Sequence, residues 1–187
     1  MVNGSKKNVD NGQIVSSFGL GSKSLYDTID RNPDFSFRPV ESTNLPQHIM
    51  QHERMTAIDN TTAMDLQGQA ASESSGHRNI SGTGGQLQFV RGAYAAPQGR
   101  SFICMSSTYE REGVRKSRVV LSLTPGSITT APRSDMMYVV TEFGMVNLKG
   151  KTVPQRVEAM ISVAHPDFRD DLSCEAREQR LLPRTFM

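Results

Sequence analysis

The chain lacks the features that would place it in a membrane, in an oxidising compartment or on a nucleic acid. No apolar run approaches the roughly 18 residues that span a bilayer. The two cysteines, Cys104 and Cys174, are poor evidence for a disulfide and fit a reducing compartment. The 21 basic and 19 acidic residues nearly balance, with no basic stripe of interleaved aromatic residues. We therefore expect a cytoplasmic location, with the mitochondrial matrix as the alternative, and neither a membrane nor a nucleic acid as partner.

Signatures of several common catalytic sites are also missing. The glycines at 82 and 84 are followed by no Gly-Lys-Ser/Thr, so this is not a P-loop, and position 87 is Leu where a dinucleotide fingerprint needs glycine. Neither Ser72 nor Ser74 lies in a Gly-x-Ser-x-Gly elbow, which disfavours a serine hydrolase. The histidines include one pair at helical spacing with no third ligand, so no metal site is expected.

Hydrophobic patterning predicts interleaved strands and helices. Thr152 and Gln155 fit a capping box that begins the clearest helix, which has an apolar stripe as far as Ala164. The unbroken apolar run 101–105 predicts a central strand, and the charged segment 109–116 predicts a loop. Further helices are expected over 22–31, from 44, over 86–95 and over 167–180, and further strands over 14–18, 35–37, 55–58, 61–66, 119–121, 128–130 and 138–141. This pattern indicates an α/β or mixed α+β layered domain.

The most informative segment is residues 80–92, in which three glycines open a predicted helix. Gly82, Gly84 and Gly85 follow the polar run 72–76 and precede Gln86. Glycines let backbone amides approach a ligand closely, and a helix N-terminus offers those amides to negative charge or to a carbonyl oxygen. The segment therefore predicts an anion or acyl site. A tight turn before a helix explains the glycines equally well, and the polar run 72–76 modestly favours a site.

Several polar side chains have more than one interpretation. Glu73 fits a general base, a structural partner of a nearby arginine, or an exposed residue, and exposed or structural roles are commoner. Glu142 follows an apolar strand, where a turn or capping role competes equally with a chemical one. His165 is more typical of a helix end than of a catalyst. The basic residues within 109–116 fit either a solvated loop or a phosphate contact. The residues by themselves indicate an acyl or anion site on an α/β domain.

A set of segments along nearly the whole chain, from about residue 12 to residue 172, occurs in the order of a known family. They include Gly-Thr-Gly-Gly-Gln-Leu-Gln-Phe at 82–89, Tyr-Val-Val-Thr-Glu-Phe-Gly at 138–144 and His-Pro-Asp-Phe-Arg at 165–169. The other segments are 21–26, 32–33, 59–60, 64–68, 72–74, 91–92, 107–108, 117–118 and 148–151. Each motif is weak alone, but the ordered set is specific. The chain resembles the C-terminal domain of the acetyl-CoA hydrolase/transferase family, the group that contains 4-hydroxybutyrate CoA-transferase.

The resemblance implies a fold and a reaction. It implies a CoA-transferase-type layered α/β domain, with a mixed β-sheet flanked by helices, over residues 13–187, after a linker remnant at 1–12. Family members move CoA from an acyl-CoA to a free short-chain carboxylate. A glutamate attacks the thioester to form an acyl-glutamyl anhydride, CoA thiolate returns to give a glutamyl-CoA thioester, and the acceptor carboxylate completes the exchange. Coenzyme A and acyl-CoA are then substrates, and no covalently bound cofactor is implied.

In this family the nucleophilic glutamate lies upstream of the segment where this chain begins, and residues 1–12 contain no glutamate. Glu73 and Glu142 belong to other family motifs, so neither is expected to be the nucleophile. We expect a C-terminal piece that is inactive alone, works with an N-terminal domain of the same enzyme, exposes apolar surface and forms a homo-oligomer. The alternatives are an acyl-CoA hydrolase, in which water takes the acyl group, and a non-catalytic CoA-binding or assembly module.

The resemblance also assigns roles to residues of this chain. The amides of Gly84 and Gly85 would stabilise the oxyanion of the thioester. The loop around them would form the wall for the thioester and the pantetheine arm, the residues at 60 and 72–73 would orient the substrate, and the basic residues would contact CoA phosphates. The expected binding residues are Asn60, Ser72, Glu73, Gly82, Thr83, Gly84, Gly85, Gln86, Arg111, Arg115 and Lys116.

Overall fold

The computed structural model describes residues 4–183, which form interleaved helices and strands. The helices are α1 (Lys23–Ile29), α2 (Val40–Thr43), α3 (Pro46–Ile49), α4 (Gln86–Ala95), α5 (Val153–Val163) and α6 (Pro166–Glu178). The strands are β1 (Ile14–Ser16), β2 (Phe35–Phe37), β3 (Thr56–Asn60), β4 (Ala63–Asp65), β5 (Ala70–Ala71), β6 (Ser74–Ser75), β7 (Arg78–Asn79), β8 (Arg100–Cys104), β9 (Thr108–Arg111), β10 (Val114–Ser117), β11 (Val119–Val120), β12 (Tyr138–Thr141) and β13 (Gly144–Asn147). None of the helices within 4–183 is long and apolar enough to cross a membrane.

The largest sheet has the strand order β13-β12-β8-β3 and is mixed. Strands β3, β8 and β12 run parallel, with Phe102 opposite both Ile58 and Tyr138, and β13 pairs antiparallel with β12. The interior position of β8 confirms that the apolar run 101–105 is a central strand. Because the three parallel strands share a direction, their carboxyl ends at Asn60, Cys104 and Thr141 meet at one edge of the sheet. In α/β sheets this edge is where ligands commonly bind.

The core forms where the long helices cover the strands. Val157, Met160 and Val163 of α5 are buried, and α5 packs against β12 and β13. The capping box of Thr152 and Gln155 is present at its start, as the sequence predicts. Helix α4 packs against β3 and β8. The expected α/β domain with a mixed sheet and packed helices is therefore confirmed.

Two predicted elements are wrong. The segment 109–116 is not a loop but the hairpin β9–β10, closed by Glu112 and Gly113, which both have positive φ. Positive φ at both central residues is typical of a type I′ turn, and the exposed charged strands lack the alternation that would have revealed it. Residues 128–130 form no strand. Thr130 is buried, and its hydroxyl accepts hydrogen bonds from the amides of Ser72 and Glu73.

The described part of the expected linker, residues 4–12, packs on the rest of the domain. Within residues 4–12, Asn8 donates from Nδ2 to the Gln51 carbonyl (2.8 Å) and accepts from the Glu53 amide (3.0 Å). The predicted linker and domain also include residues 1–3 and 184–187, which lie outside the described part of the chain. The boundary between 1–12 and 13–187 stays a prediction.

Candidate functional site

The glycine loop, residues 80–85, is an open turn at the N-terminus of α4. Gly84 has φ of +63°, the left-handed region that favours glycine, and Gly85 precedes the first helical residue. A Cβ added to Gly82 or Gly84 would meet no atom within 4 Å. Packing therefore does not require glycine at these two positions, and the space beside the backbone is free. The first amides of α4 lack intrahelical partners, so they are available to a ligand.

Three of the expected binding residues are joined by hydrogen bonds between side chains and backbone. The Ser72 hydroxyl donates to Gln86 Oε1 (2.5 Å) and lies 3.1 Å from Thr61 Oγ1. Gln86 Nε2 donates to the carbonyl of Asn60 (2.7 Å), the last residue of β3. The Gln86 side chain therefore connects the start of α4 to the carboxyl edge of the sheet. This connection positions the glycine loop at that edge.

Glu73 is buried, so the interpretation of this glutamate as an exposed residue is wrong. Its side chain is 7% exposed, and Oε2 is buried with no hydrogen-bond partner among residues 4–183. Its backbone carbonyl accepts from the amides of Ile80 (2.7 Å) and Ser81 (3.3 Å) at the start of the glycine loop. The Glu73 backbone thus anchors the start of the glycine loop. A buried carboxyl oxygen without a donor is costly, which is characteristic of functional sites as well as of strained ones.

A cleft of about 730 Å³ opens beside the first turn of α4. Gln86 and Phe89 line it from α4, Gly85 lines it from the end of the glycine loop, and Asp59 lines it from β3. The opposite wall comes from the segment between β1 and α3, including Phe18 and Asn44. Clefts of this size typically hold small-molecule ligands. Two of the expected binding residues, Gly85 and Gln86, therefore face a cavity of suitable volume.

The cleft includes Asn44, the residue from which the sequence predicts a helix. The structure places it at the C-terminal end of α2, while α3 begins at Pro46 after Leu45. A Cβ on Gly85 would overlap the Asn44 side-chain amide, so glycine is what lets this amide lie against the loop. Thr43 donates to Asn44 Oδ1 (2.8 Å) and thereby directs its NH₂ group. No signal within the sequence pairs residues 41 positions apart.

Asp59 is a second cleft residue, and no local motif predicts a role for it. It lies next to Asn60 at the carboxyl end of β3, and its Oδ2 is buried without a hydrogen-bond partner among the described residues. Burial raises the pKa of Asp59 to about 6. Burial also raises the pKa of the neighbouring Cys104 thiol, and the charge of Asp59 adds to that effect. The cleft therefore contains a carboxyl group that titrates close to neutral pH.

Glu142 links two strand ends at the same edge of the sheet. Its carboxylate accepts from the Ser107 hydroxyl (2.6 Å) and from the Ser107 amide (2.8 Å). Burial acts to raise the pKa of Glu142, but these hydrogen bonds outweigh it and hold the pKa below its ordinary value. The turn interpretation of Glu142 fits this geometry. His165 caps α6 by accepting from the Asp167 amide (3.2 Å), as expected of a helix-end residue.

Replacing Ser107 with Ala should raise the pKa of Glu142, because the variant loses the hydroxyl donor to its carboxylate. The amide of residue 107 still donates, so the shift should be partial. An NMR titration of the Glu142 side-chain carboxyl measures it. Ser106→Ala is the matched control, since the Ser106 hydroxyl donates to the Thr108 carbonyl instead (3.0 Å). Equal Glu142 pKa values in the two variants would contradict the role of the Ser107 hydroxyl.

The three basic residues expected to contact phosphates lie on the β9–β10 hairpin, away from the lining of the cleft. Arg115 forms an ion pair with Asp167 (3.2 Å) at the start of α6, and Arg111 pairs with the adjacent Glu112 (3.5 Å). Within the described part of the chain, the cleft lining includes neither of these nor Lys116. The structure does not bring the hairpin residues together with the glycine loop. Their phosphate role stays a prediction.

A family model for the acetyl-CoA hydrolase/transferase C-terminal domain matches residues 21–176. Among curated proteins, the chain is 42% identical over 185 residues to a butyryl-CoA:acetate CoA-transferase from Anaerostipes caccae. That match covers 98% of this chain and 42% of the relative. The chain therefore spans about two fifths of the length of this relative.

Solved structures show the same relationship. RipA from Yersinia pestis superimposes with a TM-score of 0.89 at 39% identity, over 97% of this chain and 40% of RipA. A 4-hydroxybutyrate CoA-transferase from Porphyromonas gingivalis superimposes with a TM-score of 0.78 at 37% identity, over 95% of this chain and 40% of that enzyme. The likeness extends from sequence to backbone and in both cases occupies the same share of a longer protein. The chain belongs to the acetyl-CoA hydrolase/transferase family and corresponds to its C-terminal domain.

Proposed function

We propose that the chain is the CoA-binding half of a CoA-transferase that moves CoA between an acyl-CoA and a free short-chain carboxylate. The observation that carries this proposal is the glycine loop. It has free space beside Gly82 and Gly84, and the Ser72–Gln86–Asn60 hydrogen bonds hold it at the carboxyl edge of the sheet. The relative from Anaerostipes caccae is named as a transferase, which favours transfer over hydrolysis.

In the proposed complex, the loop contributes hydrogen-bond donors to the thioester. The amides of Gly84 and Gly85 stabilise the oxyanion that forms when a carboxylate attacks the thioester carbon, since preorganised amides favour developing negative charge. Gln86 and Thr83 complete the wall beside the pantetheine arm. Asn60 and the Ser72–Glu73 segment orient the substrate. The chain supplies this binding surface, and the attacking glutamate comes from an N-terminal domain of the same enzyme.

Exposed apolar side chains support a further protein partner for this domain. Phe18, Leu20 and Ile58 are 74%, 84% and 71% exposed. Ile58 lies on β3, the edge strand of the largest sheet, where exposed apolar residues invite pairing or coverage. We propose that the N-terminal domain covers this surface and that the enzyme is a homo-oligomer. The free thiols of Cys104 and Cys174 support a cytoplasmic location.

Calorimetric titration of the chain with butyryl-CoA tests this function, and we expect saturable binding. Gln86→Ala should weaken binding about tenfold, because both side-chain bonds that position the loop are lost. Gln88→Ala, on the same helix but outside the cleft lining, is the matched control and should bind as the unchanged chain does. The proposal fails if the unchanged chain binds no acyl-CoA, alone or with the N-terminal domain of a relative.

A further inference from the structure

Asp59 has a position that the proposed reaction does not use. It lines the cleft together with Gly85 and Gln86, next to the Asn60 carbonyl that holds the Gln86 side chain. One carboxyl oxygen, Oδ2, is buried and has no hydrogen-bond donor within residues 4–183. A buried carboxylate oxygen that loses its solvation and gains no hydrogen bond is destabilised. Such a group has a strong preference for any donor that enters the cleft.

No cation among residues 4–183 offsets the effect of burial on the pKa of Asp59. On β8 its titratable neighbour is Cys104, and α4 presents Gln86 and Phe89 to the cleft, neither of which titrates. Burial is what shifts its pKa. The other charged or titratable groups of the cleft come from the N-terminal segment, from the link between β2 and α2, and from α3 and the residues after it. Arg38, in the link, is paired with Asp10 (2.7 Å). These other groups are Lys7, Asp10, Arg38, His48 and His52.

We propose that Asp59 is a specificity-determining residue whose carboxylate accepts a hydrogen bond from an O–H or N–H group of the bound acyl-CoA. The inference rests on the proposed function. The donor is either a hydroxyl on the acyl chain or an amide of the pantetheine arm, which share this chemistry. Rotation about the Cβ–Cγ bond of aspartate is broad, so either carboxyl oxygen can turn toward the cleft.

The contribution of Asp59 to acyl-CoA affinity should depend on pH. A donor stabilises the ionised carboxylate, so binding should lower the pKa of Asp59 from about 6 in the free chain. Below that pH the free chain holds a proton on Asp59 that binding must release. The contribution of Asp59 to affinity is therefore lost as pH falls through about 6 and is complete above it. Phosphates of CoA also titrate near pH 6, so the comparison must be between variants.

The test compares the unchanged chain with Asp59→Asn, which keeps the shape and removes the charge. Affinities for butyryl-CoA and 4-hydroxybutyryl-CoA are measured between about pH 5 and about pH 8. The unchanged chain should bind about tenfold more tightly than Asp59→Asn at the high end and equally at the low end. A difference for 4-hydroxybutyryl-CoA alone identifies the acyl hydroxyl as the donor, and a difference for both ligands identifies the pantetheine arm. Asp27→Asn, on α1, should behave as the unchanged chain.

Other outcomes of these measurements would overturn the role of Asp59 or the proposed function. If Asp59→Asn matches the unchanged chain at every pH, this inference is overturned while the proposed function stands. If the unchanged chain binds neither ligand, alone or with the N-terminal domain of a relative, both are overturned. An NMR titration of Asp59 with and without butyryl-CoA and 4-hydroxybutyryl-CoA gives a readout that does not depend on the variant folding. Its pKa should fall on binding of the ligand that supplies the donor, and an unchanged or higher pKa with both ligands overturns the inference.

Discussion

Gly84→Val is expected to lower the affinity of the chain for acyl-CoA by about a hundredfold or more while leaving the domain folded. The new side chain would stand in the free space beside the loop, where the ligand must approach the amides. Since φ at this position is +63°, valine would also shift the backbone that carries those amides. The strain should cost about 1–2 kcal/mol of stability, which a packed domain withstands. Calorimetric titration with butyryl-CoA measures the loss, and denaturant unfolding measures the stability.

Gly113→Val is the matched control for this prediction. Gly113 has φ of +74° and, like Gly84, no atom within 4 Å of an added Cβ, but it lies in the β9–β10 turn. Both variants should lose similar stability, and only Gly84→Val should lose binding. Equal acyl-CoA affinities for the two variants would show that the glycine loop is a structural turn, which is the alternative that the sequence left open.

Gly92→Ala should destabilise the domain by about 1–3 kcal/mol. Gly92 is buried on α4, and an added Cβ would overlap Cβ and Cγ2 of Ile49 on α3. Ile49 is itself 3% exposed and branched at Cβ, so it has little freedom to move aside. The higher helix propensity of alanine would return about 1 kcal/mol at most. Overlap should therefore outweigh propensity, and urea unfolding measures the net change.

Gly82→Ala provides the comparison, because it is the same substitution at a site with open space and without a positive φ. Its stability should change by less than about 0.5 kcal/mol. Because Ile49 also lines the cleft, Gly92→Ala should weaken acyl-CoA binding as well. Equal stability of Gly92→Ala and the unchanged chain would contradict the close contact between Gly92 of α4 and Ile49 of α3.

The elements that the sequence predicted well have signals contained within a few residues. The capping box at Thr152, the apolar stripe of α5 and the helix that follows the glycine loop all depend on local spacing. The central strand at 101–105 depends on local composition. Such signals operate at the range of one helical turn or one strand, so no tertiary information is needed to find them.

The failures concern residues for which local hydrophobic patterning gives no signal. The β9–β10 hairpin is exposed and charged on both strands, so hydrophobic alternation gives no sign of it. Thr130 looked like part of a strand, but its hydroxyl is used by the amides of two residues more than 55 positions earlier. Glu73 is buried although it lies in a polar run, which gives no local sign of burial. Of these errors, only the one at Thr130 concerns partners that lie far along the chain; the strands of the hairpin pair with residues close by in the sequence.

The sequence by itself determined the α/β class, the family and the position of the glycine loop, because ordered motifs and helix-start signals are local. Only the tertiary structure decided what surrounds that loop. Parallel strands bring their carboxyl ends to one edge, and this places Asp59 beside Gly85 and Gln86 although the sequence separates them. Burial then raises the pKa of the Asp59 carboxyl, an effect of desolvation that depends on packing and has no counterpart in the order of residues.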